Sequence, residues 1–148
     1  LARSRGLGDV YKRQNVGLGV DGSASNDSGS LISEARQAML LQRVSNGADA
    51  MSAMDALELA TRGGADILGR PECGRIQVGA RGDLAIWDIS GIDSAGSWDP
   101  AALLLAGPKK VKHLVVEGRI IVCDGNIVTV KMSEVLSETK RLVQNLQL

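Results

Sequence analysis

The 148-residue chain contains no phenylalanine, one tyrosine and two tryptophans, so aromatic side chains make up only 2% of it. Stacking platforms for nucleobases are therefore scarce, and Trp87 and Trp98 are read as packing anchors. The single histidine, His113, can make neither a metal site nor a hydrolytic triad on its own, and it is expected to be structural. Cys73 and Cys123 stand far apart, which excludes a zinc spacing and a disulfide framework; both are expected to be reduced packing residues. An excess of either charge is also missing, because 17 basic residues balance 17 acidic ones. That balance excludes the basic footprint of a nucleic-acid-binding protein or of a polybasic membrane surface, and a small molecule is the expected partner. No apolar run is long enough to cross a bilayer, and no charged-then-apolar leader is present, so a cytoplasmic location is expected.

What is present is a 44% hydrophobic content, enough for a folded core. Residues 1–14, with four basic side chains and one acidic, differ in composition from the rest and read as a disordered or non-native tail, similar to a translated sequencing adapter. The first methionine, Met39, falls inside a predicted helix, so a truncated chain is expected. Residues 15–70 open with Val16-Gly17-Leu18-Gly19-Val20-Asp21. As a strand, this run would turn Val16, Leu18 and Val20 to one face and Gly17, Gly19 and Asp21 to the other. Branched residues under a helix and a functional group at the carboxyl end suit a parallel strand of an α/β barrel. A polar loop over residues 22–29 leads to a helix capped by Ser28 or Ser30 and ended by Asn46-Gly47, with an apolar stripe wide enough to predict that it is largely buried. Ser52 and Asp55 form a capping box for a second helix, which Gly63-Gly64 should close, with one more turn over residues 65–68.

Residues 71–130 alternate instead. Strands are predicted over 75–78 and 83–88, and a short helix behind Pro100. A hairpin joins 112–116 to 119–123 through Glu117-Gly118, and Asp124-Gly125 makes a second turn. Residues 131–148 read as a helix capped by Ser133, with Val135, Leu142, Val143 and Leu146 on one side, expected to dock as a brace.

Several motifs fail on their context. Gly17, Gly19 and Gly22 match a dinucleotide fingerprint, but the glycines lie inside the apolar run and no helix opens at Gly22. Asp21, Ser23, Ser25 and Asp27 imitate a calcium loop, yet Asn26 stands where glycine is needed and Ile32 where the bidentate glutamate belongs. Asn26-Asp27-Ser28 is a formal glycosylation sequon without meaning in the cytoplasm. Lys109, Lys110 and Lys112 form a solvated loop end.

Residues 16–29, followed by Glu34-Ala35-Arg36-Gln37-Ala38-Met39, by Ala60-Thr61-Arg62-Gly63-Gly64-Ala65, by Gly74-Arg75-Ile76-Gln77-Val78-Gly79 with Gly82-Asp83-Leu84, and by Val115-Val116-Glu117-Gly118, resemble the amidohydrolase superfamily. Within it the likeness is to the branch of 8-oxoguanine deaminases, guanine-type deaminases and triazine hydrolases; Gly82 departs from the alanine usual there. The resemblance implies an α/β fold: the last strand and helix of a TIM-barrel amidohydrolase, then part of a small β-sandwich and a C-terminal helix. It implies that Asp21 is both a metal ligand and a catalytic group that takes a proton from the attacking water. Ser23 and Asn26 would stand near the substrate. The implied cofactor is a divalent metal, zinc or iron, whose histidine ligands and catalytic glutamate are not found in this chain. The expected activity is hydrolytic deamination of a purine-type base, 8-oxoguanine to urate and ammonia, by an intact enzyme that could be a homo-oligomer, this chain alone being inactive. A triazine or other heterocycle hydrolase is the alternative chemistry, and a non-catalytic interaction module the alternative class.

Overall fold

The computed structural model describes residues 15–146 apart from Ser23 and Asp27. The expectations for residues 1–14 and for Ser23 lie outside the described residues. The chain forms an α/β structure in two compact units, one made of the residues up to Arg81 together with Ile89–Pro108, the other of Gly82–Asp88 and Lys109–Leu148.

The first unit is helical. Helix α1 (Leu31–Asn46) starts where the Ser30 side chain accepts the Ser33 N–H and ends where Gly47, at φ 114°, donates back to the Arg43 carbonyl. Helix α2 (Ala53–Glu58) carries the expected capping box, Ser52 and Asp55 each accepting the other's backbone N–H. Helix α4 (Pro100–Leu105) opens at proline as expected, and the Asp99 side chain, which the sequence reading did not single out, caps it by accepting the Ala101 N–H. Alanines dominate the core: Ala35, Ala53, Ala56 and Ala101 are buried with Met39 and Leu105, and Leu18, Ile32, Met51 and Leu57 pack around them. Small side chains let the helices approach closely, so Leu105 is the largest side chain to be fully enclosed.

Helix α2 is not closed by glycine. It runs into a π-helical turn (Leu59–Gly63) and then into helix α3 (Gly64–Ile67), so Gly63 and Gly64 lie inside a continuous helical path. The expected strand over 75–78 is absent, and Val78 is 99% exposed. Alternation marks a face but supplies no ladder partner, and none of the described residues pairs with this segment. Helix α1 is not largely buried as expected: it buries only Ala35 and Met39, and its Val44 is 86% exposed. Trp98 is 94% exposed in the loop before α4 and anchors nothing.

The second unit holds one antiparallel sheet, in the order β1-β2-β3-β4, of β1 (Leu84–Trp87), β2 (Val111–Val116), β3 (Arg119–Cys123) and β4 (Asn126–Ile127). Both expected turns are present and both are of the primed kind, with φ 49° and 76° at Glu117-Gly118 and 46° and 75° at Asp124-Gly125. Gly82 lies beside the first turn, its carbonyl accepting the Gly118 N–H at 3.0 Å. An added Cβ there would come 3.2 Å from that nitrogen, so a side chain at this position needs a small shift of the turn. Helix α5 (Met132–Leu146) begins before Ser133, which therefore is not its cap, and it buries no residue. The brace expected of it is not seen within its unit among the described residues, where Val135, Leu142 and Val143 stay about half exposed.

Candidate functional site

The site is built from the run over residues 16–20. No strand pairs with it among the described residues. It is held instead against the π-helical turn. The Leu18 N–H donates to the Leu59 carbonyl at 3.3 Å. A Cβ on Gly17 would lie 2.8 Å from the Gly64 nitrogen, and one on Gly63 would overlap the Val16 carbonyl oxygen. These glycines thus allow two backbones to touch, a close approach any other residue would prevent. The wider turn brings the Gly63 and Gly64 backbone against this run, and π-turns recur at functional sites.

The run ends at Asp21, whose φ of 58° is left-handed, a conformation aspartate tolerates better than most residues. One carboxylate oxygen accepts the Gly22 N–H at 2.8 Å and the other the Ser25 hydroxyl at 2.7 Å. The Ser25 hydroxyl bond, and after it the Gly22 amide, hold the carboxyl below the ordinary aspartate range. Asp21 is therefore an exposed, ionised, acceptor-only group at neutral pH, with lone pairs remaining on each oxygen.

Asn26 stands behind it. Its amide nitrogen donates to the Val20 carbonyl at 2.7 Å and to Glu34 Oε1 at 2.8 Å, and its Oδ1 accepts the Ser28 N–H at 2.9 Å. The structure thus brings together Asp21, Ser25, Asn26 and Glu34. Sequence reasoning passed over Ser25 and Glu34 as partners; the available signals were the spacing of Ser25 from Asp21 in a tight loop and an acid in the first turn of α1.

His113 lies in the sheet unit. It has a carboxylate neighbour: its Nδ1 accepts the Asp124 N–H at 3.3 Å, and its Nε2 is 3.6 Å from Asp124 Oδ1. The hairpin register places Asp124 there, which supports a structural role at the second turn. A depression of about 240 Å³ in the same unit, lined by Asp88, Lys110, Lys112 and Asp124, is crossed by the Lys112–Asp88 ion pair at 3.1 Å. Among the described residues no three His, Cys, Asp or Glu side chains converge as a metal site. A carboxylate is a suitable donor for a divalent cation, so Asp21 fits one position of such a site, and the remaining ligands are not furnished by the described residues.

Residues 5–121 match the amidohydrolase family. The chain belongs to this family. It is 44% identical over 113 residues to the 8-oxoguanine deaminase of Pseudomonas aeruginosa, covering 76% of this chain and 25% of that protein. It is 33% identical over 135 residues to a 5-methylthioadenosine/S-adenosylhomocysteine deaminase of Desulforudis audaxviator, covering 88% and 31%. Among solved structures, the atrazine chlorohydrolase of Arthrobacter aurescens TC1 complexed with zinc superposes with a TM-score of 0.84 at 34% identity, over 90% of this chain and 31% of that one. An adenosine deaminase of Xanthomonas campestris with bound zinc gives a TM-score of 0.84 at 26% identity, over 92% and 32%. The chain spans about a quarter to a third of the length of the relatives it matches. No helix of the described residues is long and apolar enough to cross a membrane.

Proposed function

We propose that this chain is the carboxyl-terminal part of a zinc-dependent amidohydrolase that removes the exocyclic amine of a purine-type base, with 8-oxoguanine as substrate and urate and ammonia as products. Residues 15–70 would be the last strand and helix of its barrel. The observation that carries the reading is an exposed, ionised Asp21 at the end of a backbone run clamped by glycine contacts, in a chain 44% identical to an 8-oxoguanine deaminase. Zinc, when bound, supplies the Lewis acid that makes water nucleophilic at neutral pH. Asp21 would be one of the residues that hold the metal, and its carboxylate would accept a proton from the attacking water. The Ser25 hydroxyl, now on Asp21 Oδ2, has a second acceptor in the Gly22 carbonyl at 3.2 Å, so it can turn away when that oxygen takes the proton. A triazine substrate is the second reading, supported by a likeness to a triazine hydrolase variant at 33% identity and a TM-score of 0.82. The higher identity to the purine enzyme favours the purine.

The test joins this chain to the upstream part of the Pseudomonas enzyme, in place of its matching quarter, and measures ammonia release from 8-oxoguanine, guanine and a hydroxylated triazine. The joined enzyme is expected to prefer 8-oxoguanine and to lose about 1,000-fold or more of kcat/KM on Asp21→Asn. The chain by itself is expected to release no ammonia. Metal-dependent release by the chain alone, or full activity of Asp21→Asn, overturns the reading; an inert join in which only the sheet edge binds a partner favours an interaction module.

A further inference from the structure

We propose that Asn26 is a positioning residue, whose side-chain amide ties the peptide preceding Asp21 to helix α1 through Glu34 and so fixes where the Asp21 carboxylate stands. The inference rests on the reading of Asp21 as a metal ligand. An asparagine amide can make four hydrogen bonds, two as donor and two as acceptor. In Asn26 both N–H groups are committed, to Val20 O and Glu34 Oε1, and one oxygen lone pair takes the Ser28 N–H. These partners also settle the amide's orientation, because the reverse assignment would set an oxygen against two acceptors and a nitrogen against a donor. Contact with a substrate would require breaking this set or using the one remaining lone pair.

The gripped atom explains the consequence. The Val20 carbonyl belongs to the peptide plane that ends at the Asp21 nitrogen, so holding its oxygen restrains rotation into Asp21, where φ is 58°. A left-handed backbone is less favourable than a right-handed one even for aspartate, and the Asn26 bond opposes its relaxation. On the other side, Glu34 provides a charge-assisted bond from the first turn of α1, where a carboxylate is favoured by the helix dipole. Its chain neighbour Ala35 is fully buried and Met39 lies one turn on in the same core, so the anchor is rigid. Core, α1, Glu34, Asn26, the Val20 carbonyl and Asp21 thus form one connected path. Ser25 and Gly22 then orient the carboxylate itself.

Amide hydrogen exchange on the whole chain, followed by NMR without metal or substrate, tests the tie. Asn26→Ala is expected to speed exchange at Ser28 by about ten-fold and to speed it at Gly22 as well. Glu34→Ala should do the same to a smaller extent, and Glu34→Gln, which keeps an acceptor oxygen, should restore rates to within about two-fold. In the joined enzyme, Asn26→Ala should lower kcat by about 30- to 100-fold with KM changed by less than about three-fold. Unchanged exchange at Gly22 in Asn26→Ala, or a raised KM with kcat intact, overturns the proposal. Activity retained by Asp21→Asn would instead overturn the functional reading, and the exchange rates would still decide the tie.

Discussion

Residues Val111–Val116 run between two antiparallel neighbours, whereas residues 16–20, built from similar branched apolar side chains, have no ladder partner among the described residues. The first run needs only the Glu117-Gly118 turn to bring its partner alongside, so little chain entropy opposes pairing. The second is held by the Leu18–Leu59 backbone bond and by glycine contacts with a helical path more than forty residues further along the chain. Ladder and glycine clasp leave different freedoms. A ladder satisfies the backbone along its whole length, but a clasp grips one end and leaves the other, with Asp21, open for chemistry.

The sharpest way to break the comparison is Gly63→Ala, which drives a methyl group into the Val16 carbonyl. Urea unfolding of the helical unit should show a loss of about 3 kcal/mol, with the sheet transition unmoved. Gly118→Val attacks the other run by placing a β-branched residue at φ 76°, and it should cost the sheet unit about 2 kcal/mol in the same measurement while residues 16–20 keep their exchange protection. Ser52→Ala removes one half of the capping box on α2, which leads into the π-turn. About 1 kcal/mol of helical-unit stability should go, seen as a lower thermal midpoint by circular dichroism.

The other half of that box is sensitive to pH. The Ser52 hydroxyl and amide hold the Asp55 carboxyl below its usual 3.8. Because the folded value is depressed, its stabilisation is fully present above the unfolded value and is lost as pH falls through the folded one. The gap in thermal midpoint between the parent chain and Asp55→Asn should therefore hold steady above about pH 5 and close below 3.8. The smallest effect is expected from Gly19→Ala, whose added methyl meets nothing within 4 Å; a change under about 0.5 kcal/mol would locate the clasp at Gly17 and Gly63 rather than in glycine content as such.

Local signals were read well wherever their partners lie within a few residues. The Ser52–Asp55 box, Pro100 at the start of α4, Gly47 at the end of α1 and both primed turns occur where the residues place them. The misreadings share a cause. Residues 75–78 alternate but have no neighbour, Gly63-Gly64 resemble a helix stop but serve a distant backbone, and the stripe of α5 stays about half exposed among the described residues. In the candidate site, Asp21 stood out as a carboxylate closing an apolar run. Its supports Ser25 and Glu34 did not, since serines and helix-start acids are common for reasons of their own.

By itself, the sequence determined the Ser52–Asp55 box, the turns and the α/β composition, because each rests on interactions among residues close along the chain. Tertiary structure alone decided that residues 16–20 lie against a π-turn, that two glycines are points of contact, and that Glu34 reaches Asn26 behind Asp21. Those outcomes depend on which distant backbones meet. Glycine and asparagine serve equally as turn, cap or contact until a neighbour arrives to select one of these roles.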